Sequence, residues 1–360
     1  MTALSRQPEW RLFADGDSLY RDMLQGIDNA TRSVHLESYI FANDTTGQRF
    51  IDHLCAKAQQ GVEVRLHLDA IGSLGLLLSA QANRLKESGV ELRWFNPPNH
   101  FYLPRLNRRN HRKLLVIDNH IAWLGGFNIQ REYSREQVGD ACWRDSHIRL
   151  EGPLANLAGL YFDKLWQRQR RWRPTSTGNE SFHLISNQNL RQTHRFRRLL
   201  NRRIKRARNR VWLTTPYFTP DHRTRVALMK AAQRKVDVRL LVPMKSDQRL
   251  TQWAARAAYS RLLDAGVRIY EYCPSILHAK TAMIDASWAT IGTANLDYRS
   301  FFVNYELNLV AQDTALCSTL AEHFTADLSV AREITKDGWR RRGRLRRLTE
   351  FIGWLARKWL

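Results

Sequence analysis

This chain of 360 residues is short of cysteine, short of acidic residues and devoid of any long apolar run. Each shortage removes a class of protein. The four cysteines, Cys55, Cys142, Cys273 and Cys317, lie far apart without a C-x-x-C spacing. That argues against a disulfide scaffold or a zinc site and fits reduced thiols in a cytoplasmic setting. No stretch approaches the roughly 18–20 apolar residues that span a bilayer; Leu74 to Ala80 is only a fragment of one. The opening MTALSRQPEW is polar and lacks the apolar core of a signal peptide. If a membrane is involved, the chain is expected to lie on it.

The acidic shortage leaves 57 Lys and Arg against 34 Asp and Glu, a formal net charge of +23. Such an excess speaks of partners: it favours a polyanion, nucleic acid or an anionic lipid surface, with plain solubility as the alternative. With 43% hydrophobic residues the chain can bury sizeable cores, and its length suits two ordinary domains.

Comparing the chain with itself reveals a duplication. The buried-strand pattern Val34–Phe41 (VHLESYIF) has its counterpart in Val211–Phe218 (VWLTTPYF). A helical stretch ending in AKAQQ then leads to Val62–Leu68, as KAAQR leads to Val236–Val242, and Ser88–Leu92 (SGVEL) matches Ala265–Ile269 (AGVRI). Strands alternating with helices predict an α/β fold of two lobes, each a parallel sheet covered on both faces. The polar, breaker-rich segment 174–180 (PTSTGNE) divides residues 1–173 from 181–335, and 336–360 forms a basic tail. The stretch Lys164–Arg173, with Trp166 and Trp172 among its cations, suits either phosphate contact or a solvated helix face. The interval from Gly89 to His111 exceeds that from Gly266 to His278 by ten residues. The surplus loop, Asn96 to Arg109, is aromatic and basic, fit for lipid contact or a plain surface insertion.

The decisive signal follows each copy. His111-Arg112-Lys113 with Asp118, Gly125 and Asn128 recurs as His278-Ala279-Lys280 with Asp285, Gly292 and Asn295, both obeying H-x-K-x4-D-x6-G-x-x-N without a gap. On a strand, residues i and i+2 share a face, so each His and Lys point together. Imidazole can attack phosphorus, and an adjacent ammonium can hold the non-bridging oxygens. Asn128 and Asn295 would add amide donors. Asp118 and Asp285, beyond an apolar run, fall at the far end of the strand, where a structural role suits them better than chemistry.

The paired motif resembles the HKD signature of the phospholipase D superfamily. Within it, the chain is similar to bacterial cardiolipin synthases, of the type without N-terminal transmembrane helices, over about residues 8–330. The strings ESYIFANDTTG (37–47), RDSHIRLEGP (144–153), YFTPD (217–221) and GTANLDYRSFFVNYELNL (292–309) carry that likeness. Gly126 and Thr293 depart from it, standing where the superfamily often has Ser. The resemblance implies two similar α/β/α sandwich lobes related by a pseudo-twofold, with the active site at their interface. The candidate catalytic set is then His111, Lys113, Asp118, His278, Lys280 and Asp285. One histidine becomes phosphorylated while the other protonates the leaving alcohol, then deprotonates the incoming one. The resemblance favours His111 as nucleophile and His278 as acid–base, and the symmetry leaves the reverse open. Asn128 and Asn295 would hold phosphoryl oxygens. Glu306 looks like the carboxylate that orients a histidine in the second half. Asp145 is the candidate in the first half, where an ion pair with Arg144 is the alternative. No metal and no cofactor are expected.

The same constellation serves lipid hydrolysis, nucleic-acid cleavage and phosphatidyl transfer, so the motif alone does not choose. The tail tilts toward lipid: Leu345, Leu348, Phe351, Ile352, Leu355 and Trp359 recur at helical spacing among Arg344, Arg346, Arg347, Arg357 and Lys358. The tail either anchors the chain to a membrane or packs back on the domain. The expectation is a cardiolipin synthase on the cytoplasmic face of a bacterial inner membrane. Its substrates would be anionic phospholipids, with no nucleic acid and no protein partner.

Overall fold

The strand runs of the two halves form the centres of two separate sheets. They are seen in a computed structural model that describes residues 9–97, 107–169, 172, 178–179, 181–187, 194–343, 349–353 and 355. In chain order the first sheet holds β1 (Trp10–Phe13), β2 (Ser33–Ser38), β3 (Glu63–Asp69), β4 (Glu91–Phe95), β5 (Leu114–Ile117), β6 (Ile121–Gly125) and β7 (His147–Glu151). Their spatial order is β1-β7-β6-β5-β2-β3-β4. The second sheet holds β8 (Phe182–Ser186), β9 (Arg210–Thr214), β10 (Asp237–Pro243), β11 (Arg268–Tyr272), β12 (Thr281–Ile284), β13 (Trp288–Gly292), β14 (Leu307–Ala311) and β15 (Ala331–Ile334). It runs β15-β11-β10-β9-β12-β13-β14-β8. The arrangement β4-β3-β2-β5-β6-β7 of the first half thus repeats as β11-β10-β9-β12-β13-β14 in the second.

The sheets are mixed, which corrects the expectation of parallel ones. Only β2, β3 and β4, and likewise β9, β10 and β11, run parallel. From β5 and β12 onward every pairing is antiparallel. Between β5 and β6, and between β12 and β13, the cause is chain length. Only residues 118–120 separate β5 from β6, far too few for the crossover a parallel pair requires. Within that three-residue connection Asp118 and Asn119 both take positive φ, 53° and 54°, and Asp285 repeats the first of these at 54°.

Aspartates start several helices by accepting a bond from a backbone N–H of the first turn. Asp15 does so for Gly16–Asp28, Asp44 for Thr45–Gln59 and Asp313 for Thr314–Ser329. Among the described residues there are three large buried clusters and a small one of Phe95, Leu165 and Tyr305. One lies on the outer face of the first sheet, and a second on the outer face of the second sheet. The largest crosses between the lobes, joining Leu114, Val116 and Leu124 to Leu277, Ile291 and Leu307 through Phe162 and Phe324. The lobes therefore share one core.

Several segments read from the sequence lie partly outside the described residues: 98–106 of the surplus loop, 170, 171 and 173 of the basic stretch, 174–177 and 180 of the linker, and 344–348, 354 and 356–360 of the tail. In the part of the tail that is described, the backbone at Gly353 abuts Trp253 and Ala254, and buried Glu350 pairs with Arg342 at 2.7 Å. Phe351, Ile352 and Leu355 nevertheless stay exposed. The tail both packs on the second lobe and presents an apolar face.

Candidate active site

Each histidine motif sits just before its strand rather than on it: β5 begins at Leu114 and β12 at Thr281. The preceding extended residues pair instead with the other half. His111 N–H donates to the Tyr305 carbonyl at 2.9 Å, and Tyr305 N–H returns a bond to Arg109. In the mirror arrangement, His278 N–H donates to the Arg144 carbonyl at 2.7 Å, and Arg144 N–H to that of Ile276. These two exchanges place the residue after Tyr305 and the residue after Arg144 against the opposite histidine. Those residues are Glu306 and Asp145.

The side chains complete the crossing. His111 Nδ1 lies 3.0 Å from each oxygen of Glu306. His278 Nδ1 lies 2.6 Å from Asp145 Oδ2. Asp145 is fully buried and is no surface partner of Arg144, whose guanidinium goes to Asp327 at 2.9 Å. Glu306 is held by two hydroxyls: Ser300 donates to Oε1 at 2.8 Å, and Thr293 donates to Oε2. Asp145 Oδ1 accepts from Ser146 N–H at 2.7 Å, and the Lys280 ammonium stands 3.9 Å from Oδ2. Gly126, the counterpart of Thr293, is required here, since a Cβ on it would collide with the Asp145 carboxylate.

Burial shapes the acidities. It pushes the Glu306 carboxyl up to about 8, against the opposing pull of Lys113 and the two hydroxyls. Asp145 is also desolvated, yet Lys280 and His278 hold it below the usual carboxylate range. Both histidines are lowered, by burial first and then by the neighbouring lysines. The Lys280 ammonium falls to about 8 through burial, and Lys113 is also well below its ordinary value. Two ammonium groups in one buried site are costly until an anion joins them.

His111, His278, Asn128 and Asn295 line a single cavity of about 990 Å³, together with Arg109 and Arg299. Asn295 Oδ1 is buried and has no hydrogen-bond partner among the described residues. Lys113 and Lys280 are buried beside the histidines, each with Nζ bonded to the carbonyl of its own motif's histidine. Asp118 and Asp285 are elsewhere. Asp118 accepts from the N–H groups of Thr31, Arg32 and Ser33, and Asp285 from those of Arg208, Asn209 and Arg210. They clamp the turn to the neighbouring strand at the end away from the histidines, so their place in the candidate catalytic set is corrected to a structural one. No group of potential metal ligands occurs among the described residues.

Sequence reasoning passed over Tyr133 and Ser300. Tyr133 Oη lies 2.7 Å from His278 Nδ1. The duplication could have found both, because the offset that maps His111 onto His278 maps Tyr133 onto Ser300.

Two lobes sharing paired histidine motifs across a common cavity define a phospholipase D-type site. Residues 23–166 and 200–328 match the family described as cardiolipin synthase, PLD-like domain. The chain is 36% identical to cardiolipin synthase 2 of Bacillus cereus over 359 residues, covering 96% of this chain and 70% of that protein. It is 34% identical to a cardiolipin synthase of Clostridium perfringens over 358 residues, covering 95% and 75%. The chain belongs to the cardiolipin synthase family of phospholipase D-like proteins. In fold it is similar to phosphatidylserine synthase of Haemophilus influenzae, with a TM-score of 0.72 at 14% identity over 97% of this chain and 92% of that one. It also resembles polyphosphate kinase of Porphyromonas gingivalis, with a TM-score of 0.64 at 14% identity over 91% and 49%.

Proposed function

We propose that this chain makes cardiolipin by moving a phosphatidyl group from one phospholipid onto phosphatidylglycerol through a phosphohistidine. The observation that carries the mechanism is the crossed pair His111–Glu306 and His278–Asp145 on one cavity. Each carboxylate occupies Nδ1 of its histidine, so Nε2 is the nitrogen left for chemistry. Once ionised, Glu306, already accepting two hydroxyl protons, favours a proton on Nδ1 of His111 and a lone pair on Nε2. Nε2 attacks phosphorus; the P–N bond forms as the P–O bond to the head alcohol breaks. His278 Nε2 delivers a proton to that leaving oxygen, its imidazolium stabilised by ionised Asp145. In the second half-reaction the hydroxyl of phosphatidylglycerol gives its proton to His278 and attacks phosphorus, and the P–N bond breaks. Lys113, Lys280, Asn128 and Asn295 hold the non-bridging oxygens, and the added negative charge relieves the repulsion between the two ammonium groups. The lobes 1–173 and 181–335 act as one catalytic unit, since each supplies a histidine and the other's carboxylate.

A peripheral seat on an anionic membrane, on its cytoplasmic face, completes the reading. Among the described residues no helix is long and apolar enough to cross a membrane. Ile71 on the cavity wall, Leu74 and Leu78 just beyond it, and Phe351, Ile352 and Leu355 of the tail are exposed apolar side chains. Such groups beside arginines suit insertion among headgroups.

The test is a lipid assay in anionic vesicles: labelled phosphatidylglycerol alone, then with phosphatidylethanolamine, for the native chain and His111→Ala. Cardiolipin that needs His111 is the expected result, and dependence on the second lipid would name the donor. Phosphatidic acid without cardiolipin would make the enzyme a hydrolase, and no lipid turnover would overturn the lipid reading.

A further inference from the structure

One buried hydroxyl at the site has no task in this scheme. Tyr133 closes the short turn Arg131–Tyr133, is wholly buried, and packs its ring against Phe127 and Trp143. Its Oη bonds to His278 Nδ1 at 2.7 Å, and the Asn128 side chain also hydrogen-bonds to it. Burial keeps the phenol protonated.

The two halves treat this position differently. Ser300, the counterpart of Tyr133, is short and serves the carboxylate Glu306. Tyr133 reaches past the carboxylate to the histidine itself. The Gly126/Thr293 difference runs the same way: Thr293 gives Glu306 a second hydroxyl, whereas Gly126 leaves Asp145 without one. His111 Nδ1 therefore faces two acceptor oxygens, while His278 Nδ1 faces an acceptor, a phenol and the Lys280 ammonium at 2.8 Å.

A phenol both donates and accepts. Whether or not Nε2 carries a proton, Nδ1 keeps its own, and Asp145 and the phenol oxygen both face it as acceptors. The ring then keeps one orientation in either state. A group that alternately gives and takes a proton at Nε2 needs that constancy, and a nucleophile fixed in one tautomer does not.

We propose that Tyr133 is a positioning residue that holds His278 for proton transfer, and that the Tyr133/Ser300 difference assigns unlike roles to two otherwise equivalent histidines. This rests on the transfer reading above. The test is Tyr133→Phe in the full chain, with phosphoenzyme formation followed in single turnover on two substrates. Phosphatidylglycerol loses an alkoxide that must be protonated; phosphatidyl-p-nitrophenol loses a phenolate that need not be. The variant is expected to slow glycerol departure by about 10–100-fold, part of what general acid catalysis contributes. Nitrophenol departure should change less than about twofold. Ser300→Ala, acting on the His111 side, should slow both alike. Equal slowing of the two substrates by Tyr133→Phe, or no slowing of either, would overturn the proposal. Should that variant melt far below the native chain, 3-fluorotyrosine at position 133 alters the phenol's acidity at nearly constant size. It should change only the glycerol rate, and no change in either rate would again overturn the proposal. A native chain that forms no phosphoenzyme from either substrate would sink the transfer reading instead.

Discussion

Replacing Glu306 by glutamine keeps the volume of the side chain and removes one acceptor from the site. In the native chain both oxygens are in use, each 3.0 Å from His111 Nδ1 and each receiving a hydroxyl proton, from Ser300 or Thr293. An amide has one oxygen and one NH₂. Either hydroxyl can turn to accept, but an NH₂ beside Nδ1 donates to it and drives the imidazole proton onto Nε2, the nitrogen that must attack. Against the ionised carboxylate, in assays above about pH 8, a wrong tautomer of this kind costs on the order of 10³–10⁴ in kcat, about 4–5.5 kcal/mol of barrier. Stability should move the other way. With the Glu306 carboxyl at about 8, the folded chain keeps a proton that an unfolded one has released above about 4.5. The folded state binds more protons across that window, so this group's contribution is whole below it and is lost as pH rises through about 8. Glutamine does not titrate. The melting temperature of Glu306→Gln should therefore fall less between pH of about 6 and about 9 than that of the native chain, while cardiolipin formation nearly vanishes. Activity within about tenfold of native, or an unchanged pH dependence of melting, would refute the reasoning.

Two further outcomes follow from the turns and the small residues around the site. Gly126→Ser introduces the residue that the superfamily often carries there, yet its Cβ collides with Asp145. It should lower kcat by about 10-fold or more through displaced Asp145, as measured by steady-state turnover, and native turnover would refute the collision. Asp118→Ala removes the acceptor for three backbone N–H groups at the hairpin and should cost about 1–3 kcal/mol in denaturant unfolding. The folded fraction should turn over at the native rate, and Asp285→Ala should behave alike; a kcat loss without a stability loss would return these residues to the chemistry.

The legible part of this protein was whatever covalent spacing carries. The H-x-K-x4-D-x6-G-x-x-N pattern holds its members within one strand–hairpin–strand unit, so His111, Lys113 and Asn128 fall together wherever that unit goes, and the second copy repeats it. The same spacing put Asp118 beyond an apolar run, hence at the turn and away from the phosphate. The duplication announced two lobes, and the family followed from its motifs. What spacing could not carry was the pairing between halves. His111 and Glu306 are separated by 195 residues, and His278 and Asp145 by 133. Nothing local to Asp145 distinguishes a buried carboxylate from one that pairs with the adjacent Arg144. That choice was made when the extended residues before β5 and β12 exchanged backbone bonds with the opposite half and burial removed water from the carboxylates. The reversal from β5 to β6 and from β12 to β13 depended likewise on hairpins too short to cross over. The difference between Tyr133 and Ser300 acquired meaning only once each lay beside a histidine or a carboxylate. Sequence determined which groups the protein owns and which travel together; the tertiary structure decided which half each group serves, because hydrogen bonds and desolvation act over a few ångströms of space and are blind to distance along the chain.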